Sequence, residues 1–368
     1  MKSPIRELDR WILTSPFGVA PRKAQALWRF LNEKNVEFEF VDYPGFLFDC
    51  SSTEADGIIR ASVPSLELLW CAAYCYWKMY QLIRSVQQRS ELKWTPEEQR
   101  QRSEIETLYG WALVNVARAT AEEWPNNLPI PGRRVAFGSD EHVATELFLV
   151  ALGWILHHEV GHILHKHAFD ETQRKRPKRE TEWQADAEAN GWLFDDVDDP
   201  AIRQKLALGT VTALCMLSAR RQPGEDSTSQ DEHPHPLERL ARSLEVSGVL
   251  PDDAPYAYAI SALQMNMVLT HLTYVPLSAT ASFRQQFEDL CRVVRTNRRS
   301  PLWAIIRTSE LPGYWRHRTA PLDHQATREL AYSLWERRGK PLWSAETDWC
   351  QAEEFLRERR IDPEADPP

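Results

Sequence analysis

The feature that most constrains this chain's fold is an apolar run at residues 147–156 that leads directly into His-His-Glu-Val-Gly-His at residues 157–162. Apolar side chains on every side of such a run predict a helix that is buried all round. Residues four apart lie on the same face of a helix, so His158 and His162 point in the same direction. The sequence therefore predicts a central helix that ends with two histidines on one face.

The spacing of these histidines is typical of a metal site. Two imidazole nitrogens on one helix face can bind the same ion, and Glu159 lies beside them, where it could take a proton from an attacking water. A hydrolytic zinc site needs a third protein ligand from another element. Glu182 is the best candidate, because Asp186 lies one turn later and could accept a hydrogen bond from the far nitrogen of a ligand histidine.

Some positions around these candidates have other interpretations. Glu180 competes with Glu182 as the third ligand, because both lie in the first turn of the second helix. His157, His165 and His167 are interpreted as polar-edge or interfacial residues rather than ligands.

Glycine inside the central helix predicts a close neighbour. Gly153 and Gly161 each cost about 1 kcal/mol relative to alanine, so we expect another element to approach the helix there. Ala185 and Ala189 flank Asp186 on the second helix, and such small side chains would let the two helices lie close together.

Three motifs in order resemble those of the gluzincin metallopeptidases: HExxH at residues 158–162, ExxxD at 182–186 and HPxxxxR at 233–239. The compact gluzincin family with this order includes the heat-shock membrane proteases and the prenyl-protein (CAAX) proteases. The resemblance implies His158, His162 and Glu182 as zinc ligands, Glu159 as general base and Asp186 as the partner of a ligand histidine. Members of this family commonly carry membrane helices, and none is predicted from this sequence. The soluble, cytoplasmic phage-exclusion peptidases of the Lit type are therefore the better comparison.

The third motif supplies candidates for the far side of the site. The resemblance suggests that His233 and Arg239 shape this side, although His235 is an equally reachable imidazole. Either histidine could donate a hydrogen bond to a developing oxyanion, and the spacing does not choose between them.

The predicted fold class is α+β and predominantly α, with a minigluzincin-like helical catalytic core and a small antiparallel sheet. Strands are predicted at residues 36–41 and 57–63, with a hairpin link at the Tyr43-Pro-Gly turn. A further short strand is predicted at residues 133–138, where its edge could hold an extended peptide beside the metal.

The expected organisation has five parts. Residues 1–63 form a mixed α/β region, 64–297 the helical metallopeptidase core, 298–322 a linker, 323–361 a C-terminal helical hairpin and 362–368 a disordered tail. Residues 327–358 resemble a short bacterial helical-hairpin module of unknown function. This module could bind an activator or partner, or pack on the catalytic unit.

Composition narrows the choice of partners. The net charge of −9 argues weakly against nucleic acid as a binding partner, because contacts with phosphate groups need a high local density of Lys and Arg. The N-terminus alternates charges, unlike a secretory signal, and the six cysteines lack CxxC spacing, so we expect a cytoplasmic chain with reduced thiols. Polar residues interrupt the apolar stretches at 66–83 and 256–277, which are therefore predicted to be buried helices rather than membrane spans.

The predicted function is zinc-dependent hydrolysis of peptide bonds in a cytoplasmic protein substrate, by an endopeptidase with Zn²⁺ as its cofactor. A regulated or phage-defence role would fit the resemblance. Two alternatives stay open: a zinc-binding scaffold or regulatory interaction protein, and a zinc hydrolase that acts on a non-peptide amide.

Overall fold

The computed structural model describes residues 3–53, 56–87, 94–118, 123–125, 128–167, 178–220, 234–269 and 281–296. A short 3-10 helix (Pro4–Leu8) is followed by the α-helices α1 (Asp9–Val19), α2 (Ala24–Glu33), α3 (Val63–Gln87), α4 (Pro96–Arg118), α5 (Asp140–Leu164), α6 (Lys178–Phe194), α7 (Pro200–Arg220), α8 (Pro236–Ser247), α9 (Ala254–Leu269) and α10 (Phe283–Thr296). A three-stranded sheet comprises β1 (Val36–Val41), β2 (Phe48–Ser52) and β3 (Gly57–Ser62). The predicted α+β, predominantly α class is confirmed.

Helix α5 lies at the centre of the fold, where it packs against α1, α3, α6 and α7. Its N-terminus is capped by Ser139, whose hydroxyl accepts a 3.2 Å hydrogen bond from the His142 amide. Every residue from 147 to 161 is buried, and Trp154 has no exposed surface. The buried helix predicted from the apolar run is confirmed.

Helix α6 approaches α5 closely at Gly161. A Cβ at this position would lie 3.0 Å from the Cα of Ala185 and 3.2 Å from the Cβ of Glu188. Ala185 and Ala189 are fully buried in this contact. The close approach predicted from the glycine and the alanines is confirmed, and it brings Glu182 and Asp186 to the histidine end of α5.

The sheet is mixed, which corrects the predicted antiparallel sheet. Strand β3 lies in the middle, with β1 parallel to it on one side and β2 antiparallel on the other. The turn at Tyr43 therefore joins strands that do not pair with each other, so the predicted hairpin is wrong. Strand β2 was not predicted, because its sequence Phe-Asp-Cys-Ser-Ser lacks a run of β-branched or aromatic residues.

The strand predicted at residues 133–138 is also wrong, because this segment forms turns. The strand that lies next to the histidine end of α5 is β2 instead. Its position follows from pairing with β3, which brings Cys50 opposite Ile59.

One helix in the described part of the chain, Asp140–Leu164, is long and apolar enough to cross a membrane, with a mean hydropathy of 1.5. Within the fold, however, 89% of its apolar window is buried by the surrounding helices. The same length and composition are found in the core helix of a soluble protein.

The N-terminal elements and the helices share one hydrophobic core, which runs from Ile5 in the 3-10 helix to Cys291 in α10. Cys71 and Cys75 are buried, free thiols on α3 that pack in this core. The predicted linker, C-terminal hairpin and tail at residues 298–368 lie outside the described residues. The five-part organisation stays a prediction.

Candidate metal centre

Three side chains converge where α5 meets α6. His158 and His162 bring their Nε2 atoms to 3.1 Å from each other, and the carboxyl oxygens of Glu182 lie 3.4 Å and 3.5 Å from these nitrogens. The three ligand atoms lie within 4.8 Å of one another. Two imidazoles and one carboxylate make up a donor set that hydrolytic zinc sites use.

The Nδ1 atom of His158 faces a buried ion pair. It lies 2.9 Å from Asp186, whose carboxylate accepts hydrogen bonds of 2.8 Å and 2.6 Å from the Nε and Nη2 groups of Arg239. The same guanidinium lies 3.4 Å from Glu182. Because the Asp186 carboxylate accepts from Nδ1, the lone pair of the ring is on Nε2, where an ion could bind, whenever His158 is in its neutral form.

This cluster shifts the pKa values of its members. Burial disfavours the charged form of His158, but hydrogen bonds to Asp186 and Glu182 outweigh it and raise the pKa to about 9. Burial would raise the pKa of Asp186, yet Arg239 and His158 hold it below its usual value. The opposite charges of Asp186 and Glu182 raise the pKa of Arg239 against the effect of burial. The charges in this buried cluster are therefore matched by partners.

An aromatic side chain supports the same face. The Trp154 ring stacks on His158, with centroids 5.7 Å apart and planes at 19°, and the Arg239 guanidinium lies 5.7 Å from the Trp154 centroid. The indole N–H donates a 2.9 Å hydrogen bond to Asn190, which donates to Ser243 in turn. Trp154 therefore links α5, α6 and α8 behind the metal group.

The neighbouring histidines have other partners. His157 is fully buried, stacks on Trp192 at 5.2 Å and donates through Nε2 to the carbonyl of Pro16, and burial lowers its pKa to about 4. His167 bonds to Nδ1 of His162, and burial lowers its pKa. Both rings occupy interfaces of the fold.

A cavity of about 470 Å³ opens over the metal group. Glu159 lies at its wall, together with charged, aromatic and aliphatic side chains. The lining residues are Phe46, Phe48, Asp49, Cys50, Trp154, Ile155, His158, Glu159, His162, His167, Glu182, Leu217 and Arg239.

Sequence reasoning missed the contribution of β2 to this cavity. Cys50 faces Glu159. Burial is the larger cause of the raised pKa of the Cys50 thiol, and the nearby Glu159 carboxyl raises this pKa further. Asp49 and Phe48 also line the cavity. No motif marks these residues, and only the pairing of β2 with β3 brings them to the site.

The other sequence candidates lie elsewhere. Glu180 is exposed in the first turn of α6 and does not line the cavity. His235 is the N-cap of α8, where its Nδ1 accepts a 3.1 Å hydrogen bond from the Leu237 amide, and it does not line the cavity either. His233 lies outside the described residues.

Matches to known proteins include most of the residues of this site. The sequence matches the family described as Peptidase U49 over residues 59–261, and residues 324–358 match a protein of unknown function (DUF2934). A cell death peptidase of Escherichia coli (strain K12) is 30% identical over 248 residues, which are 66% of this chain and 82% of that relative. No solved structure matches. Because the first match covers more than half of the sequence, the chain belongs to the Peptidase U49 family.

Proposed function

We propose that this peptidase is a zinc-dependent endopeptidase that hydrolyses a protein substrate in the cytoplasm. The observation that carries this proposal is the convergence of His158, His162 and Glu182 within 4.8 Å at one end of a cavity whose wall includes Glu159. The two Nε2 atoms and the Glu182 carboxyl oxygens are electron-pair donors that lie close together. A bound cation would compensate for the repulsion between their lone pairs. The donor set therefore fits zinc.

A zinc ion held by His158, His162 and Glu182 would supply Lewis-acid activation of water and of the scissile carbonyl. Glu159 would take the proton from the attacking water and return it to the leaving amine. Asp186 would hold His158 in the tautomer that a ligand needs, and Arg239 would hold the carboxyl groups of Asp186 and Glu182 in position. His233 and His235 stay proposed donors to the oxyanion.

An edge strand beside the cavity favours a peptide over another amide as the substrate. Among the described residues, β2 pairs with β3 on one side alone. An extended peptide could add its backbone to the other edge of β2 and pass over Glu159. The aromatic rings of Phe46 and Phe48, which pack edge to face at 5.3 Å, would then contact its side chains.

A regulated role in the cell fits both the chemistry and the relative's name. An endopeptidase in the cytoplasm needs narrow specificity or an activator, and the relative is described as a cell death peptidase. We propose that this chain acts in a similar regulated response, such as phage defence, and that residues 323–361 bind its activator.

The decisive experiment compares wild type with Glu159→Gln. We expect the variant to retain zinc, measured by elemental analysis of the purified protein, and to lose the new protein termini that wild type generates in cells. Glu141→Gln, at the opposite end of α5, is the matched control and should cleave as wild type does. Identical termini in wild type and Glu159→Gln would contradict the proposal, and an unchanged cellular phenotype would favour the scaffold.

A further inference from the structure

We propose that Glu188, through a chain of four hydrogen bonds, sets the tautomer of His162 and so presents the Nε2 lone pair of that ring to a metal ion. The role of His162 as a ligand rests on the proposed function, whereas its tautomer is a property of the metal-free chain. Glu188 lies on α6 and does not line the cavity, so it is a positioning residue that acts through its neighbours.

The bonds form one continuous chain. His162 and His167 join through their Nδ1 atoms at 2.8 Å, and Nε2 of His167 lies 3.1 Å from Oε1 of Gln184. The Gln184 amide nitrogen lies 3.0 Å from Nδ1 of His165, whose Nε2 lies 2.8 Å from the Glu188 carboxylate. Every polar atom of the three rings except Nε2 of His162 is used within this chain.

The direction of the protons follows from the carboxylate, which only accepts. Nε2 of His165 therefore carries a hydrogen, and in the neutral ring Nδ1 must accept from the Gln184 amide nitrogen. The Gln184 oxygen then accepts from Nε2 of His167, whose Nδ1 accepts from Nδ1–H of His162. This hydrogen position leaves a lone pair on Nε2 of His162, the atom that faces His158 and Glu182.

Without the carboxylate the chain has no fixed direction. Two neutral imidazoles joined through Nδ1 can each be the donor, and an amide side chain can turn by 180° to fit either case. The reversed direction places a hydrogen on Nε2 of His162, which cannot then bind a metal ion. The partner of a ligand histidine commonly fixes its tautomer in this way.

The backbone is shaped to hold the chain in place. Lys166 has a φ of 57°, and His167 folds back so that its amide donates to the His162 carbonyl at 3.0 Å. With the Lys166 amide on the Ile163 carbonyl, this is the Schellman ending of a helix. The close contact of Gly161 with Glu188 fixes the other end of the chain.

The test compares Glu188→Gln with Glu188→Asp in the full-length chain. The amide introduced by Glu188→Gln can donate to His165 and reverse the chain, whereas the carboxylate kept by Glu188→Asp can only accept. The tautomer of His162 is read from ¹⁵N signals of labelled histidines in the metal-free protein, and zinc affinity from competition with a chelator. Glu180→Gln, which removes the same charge on the same helix, is the control.

We expect wild type, Glu188→Asp and Glu180→Gln to carry the His162 hydrogen on Nδ1, and Glu188→Gln to carry part of it on Nε2. Zinc affinity should fall about tenfold in Glu188→Gln, the lower end of the effect of a ligand's partner. Adding Gln184→Glu to Glu188→Gln should restore both readouts, because a carboxylate at position 184 accepts from His167 directly.

An unchanged His162 tautomer in folded Glu188→Gln would overturn the proposal, and so would an equal loss in Glu188→Asp or a failure of the rescue. The tautomer readout needs no zinc and no substrate, so its result is independent of whether the chain cleaves proteins. Loss of zinc binding in every variant and in wild type would refute the proposed function alone.

Discussion

Two buried carboxyl groups in different regions of this protein, Asp186 and Glu67, differ in the direction of their pKa shifts. At the candidate metal centre Asp186 is 2% exposed, and in α3 Glu67 is 7% exposed. Arg239 and His158 overcome the effect of burial on Asp186 and lower its pKa. Burial dominates at Glu67 and raises its pKa to about 7, because a hydrogen bond from Ser3 and the charge of Arg6 compensate only in part.

The difference teaches that partners, rather than depth, decide whether a buried acid is charged. The Arg239 guanidinium makes two short bonds to Asp186. Arg6 forms ion pairs with Asp42 at 2.9 Å and Asp9 at 3.9 Å. Its charge therefore lowers the pKa of Glu67 by less than burial raises it. The candidate metal centre therefore keeps charged groups inside the fold, whereas burial between α3 and the 3-10 helix favours the uncharged form of Glu67.

The largest effect is expected from Arg239→Met, which leaves the buried Asp186 carboxyl group and the neighbouring Glu182 carboxyl group without their guanidinium partner. Breaking one side of a buried pair costs about 3–5 kcal/mol of unfolding free energy. Urea unfolding with a chelator present measures this loss apart from metal binding. Arg242→Met, which removes an exposed guanidinium 4.9 Å from the Trp183 ring, is the control and should cost under about 1 kcal/mol. Equal losses in the two variants would contradict the comparison.

The second effect is a change in pH dependence on Glu67→Gln. A folded pKa of about 7 lies above the unfolded value of 4.5, so Glu67 contributes stability at low pH that is lost as the pH rises toward and through 7. Relative to Glu67→Gln, wild type should lose roughly 2–3 kcal/mol between pH 5 and pH 8. Parallel curves of unfolding free energy against pH for the two proteins would show that Glu67 is ionised like an exposed acid.

The third effect concerns metal affinity. Asp186→Asn keeps the shape of the side chain, but its amide can turn and donate to Nδ1 of His158, which then loses the hydrogen position that a ligand needs. Zinc affinity should fall about 10- to 100-fold in a chelator competition. Glu67→Gln gives the matched loss of a buried acid outside the candidate site, and it should leave zinc affinity unchanged. An unchanged affinity in Asp186→Asn would remove Asp186 from the proposed centre.

The smallest effect is expected at an exposed pair of the same chemistry. Arg60 lies 2.9 Å from Glu39 on the surface of the sheet, with side chains 30% and 41% exposed. Its coupling in a double-mutant cycle with Arg60→Gln and Glu39→Gln should be about 0.2–1 kcal/mol. A coupling as large as the loss of unfolding free energy in Arg239→Met would show that burial contributes nothing to the difference between the two ion pairs.

Local patterns predicted much of the helical part of the site. The apolar run and the spacing of His158 and His162 require only helical periodicity, and Asp186 follows Glu182 by one turn on α6. The peptidase family predicted from the three motifs is confirmed by the match over residues 59–261. These predictions succeeded because helices are local structures.

Long-range pairing was beyond prediction. Strand β2 is polar, and its place beside Glu159 depends on β3 lying between it and β1. One sequence cannot show this order, so Cys50 carried no signal. The contact of His167 with His162 could not be predicted either. It depends on a left-handed backbone conformation at Lys166, a position where glycine or asparagine is usual.

The parts of the candidate metal centre lie far apart in sequence, and this separation sets the order in which they are synthesised. His158 and Arg239, which lie 3.4 Å apart through Nδ1 and Nη2, are 81 residues apart in sequence. At about 5–20 residues per second, the three proposed ligands leave the ribosome several seconds before α8 can deliver Arg239. The emerging chain thus contains its three proposed ligands before Arg239 can neutralise Asp186 and Glu182, so the buried ion pair cannot be complete until residue 239 has left the ribosome.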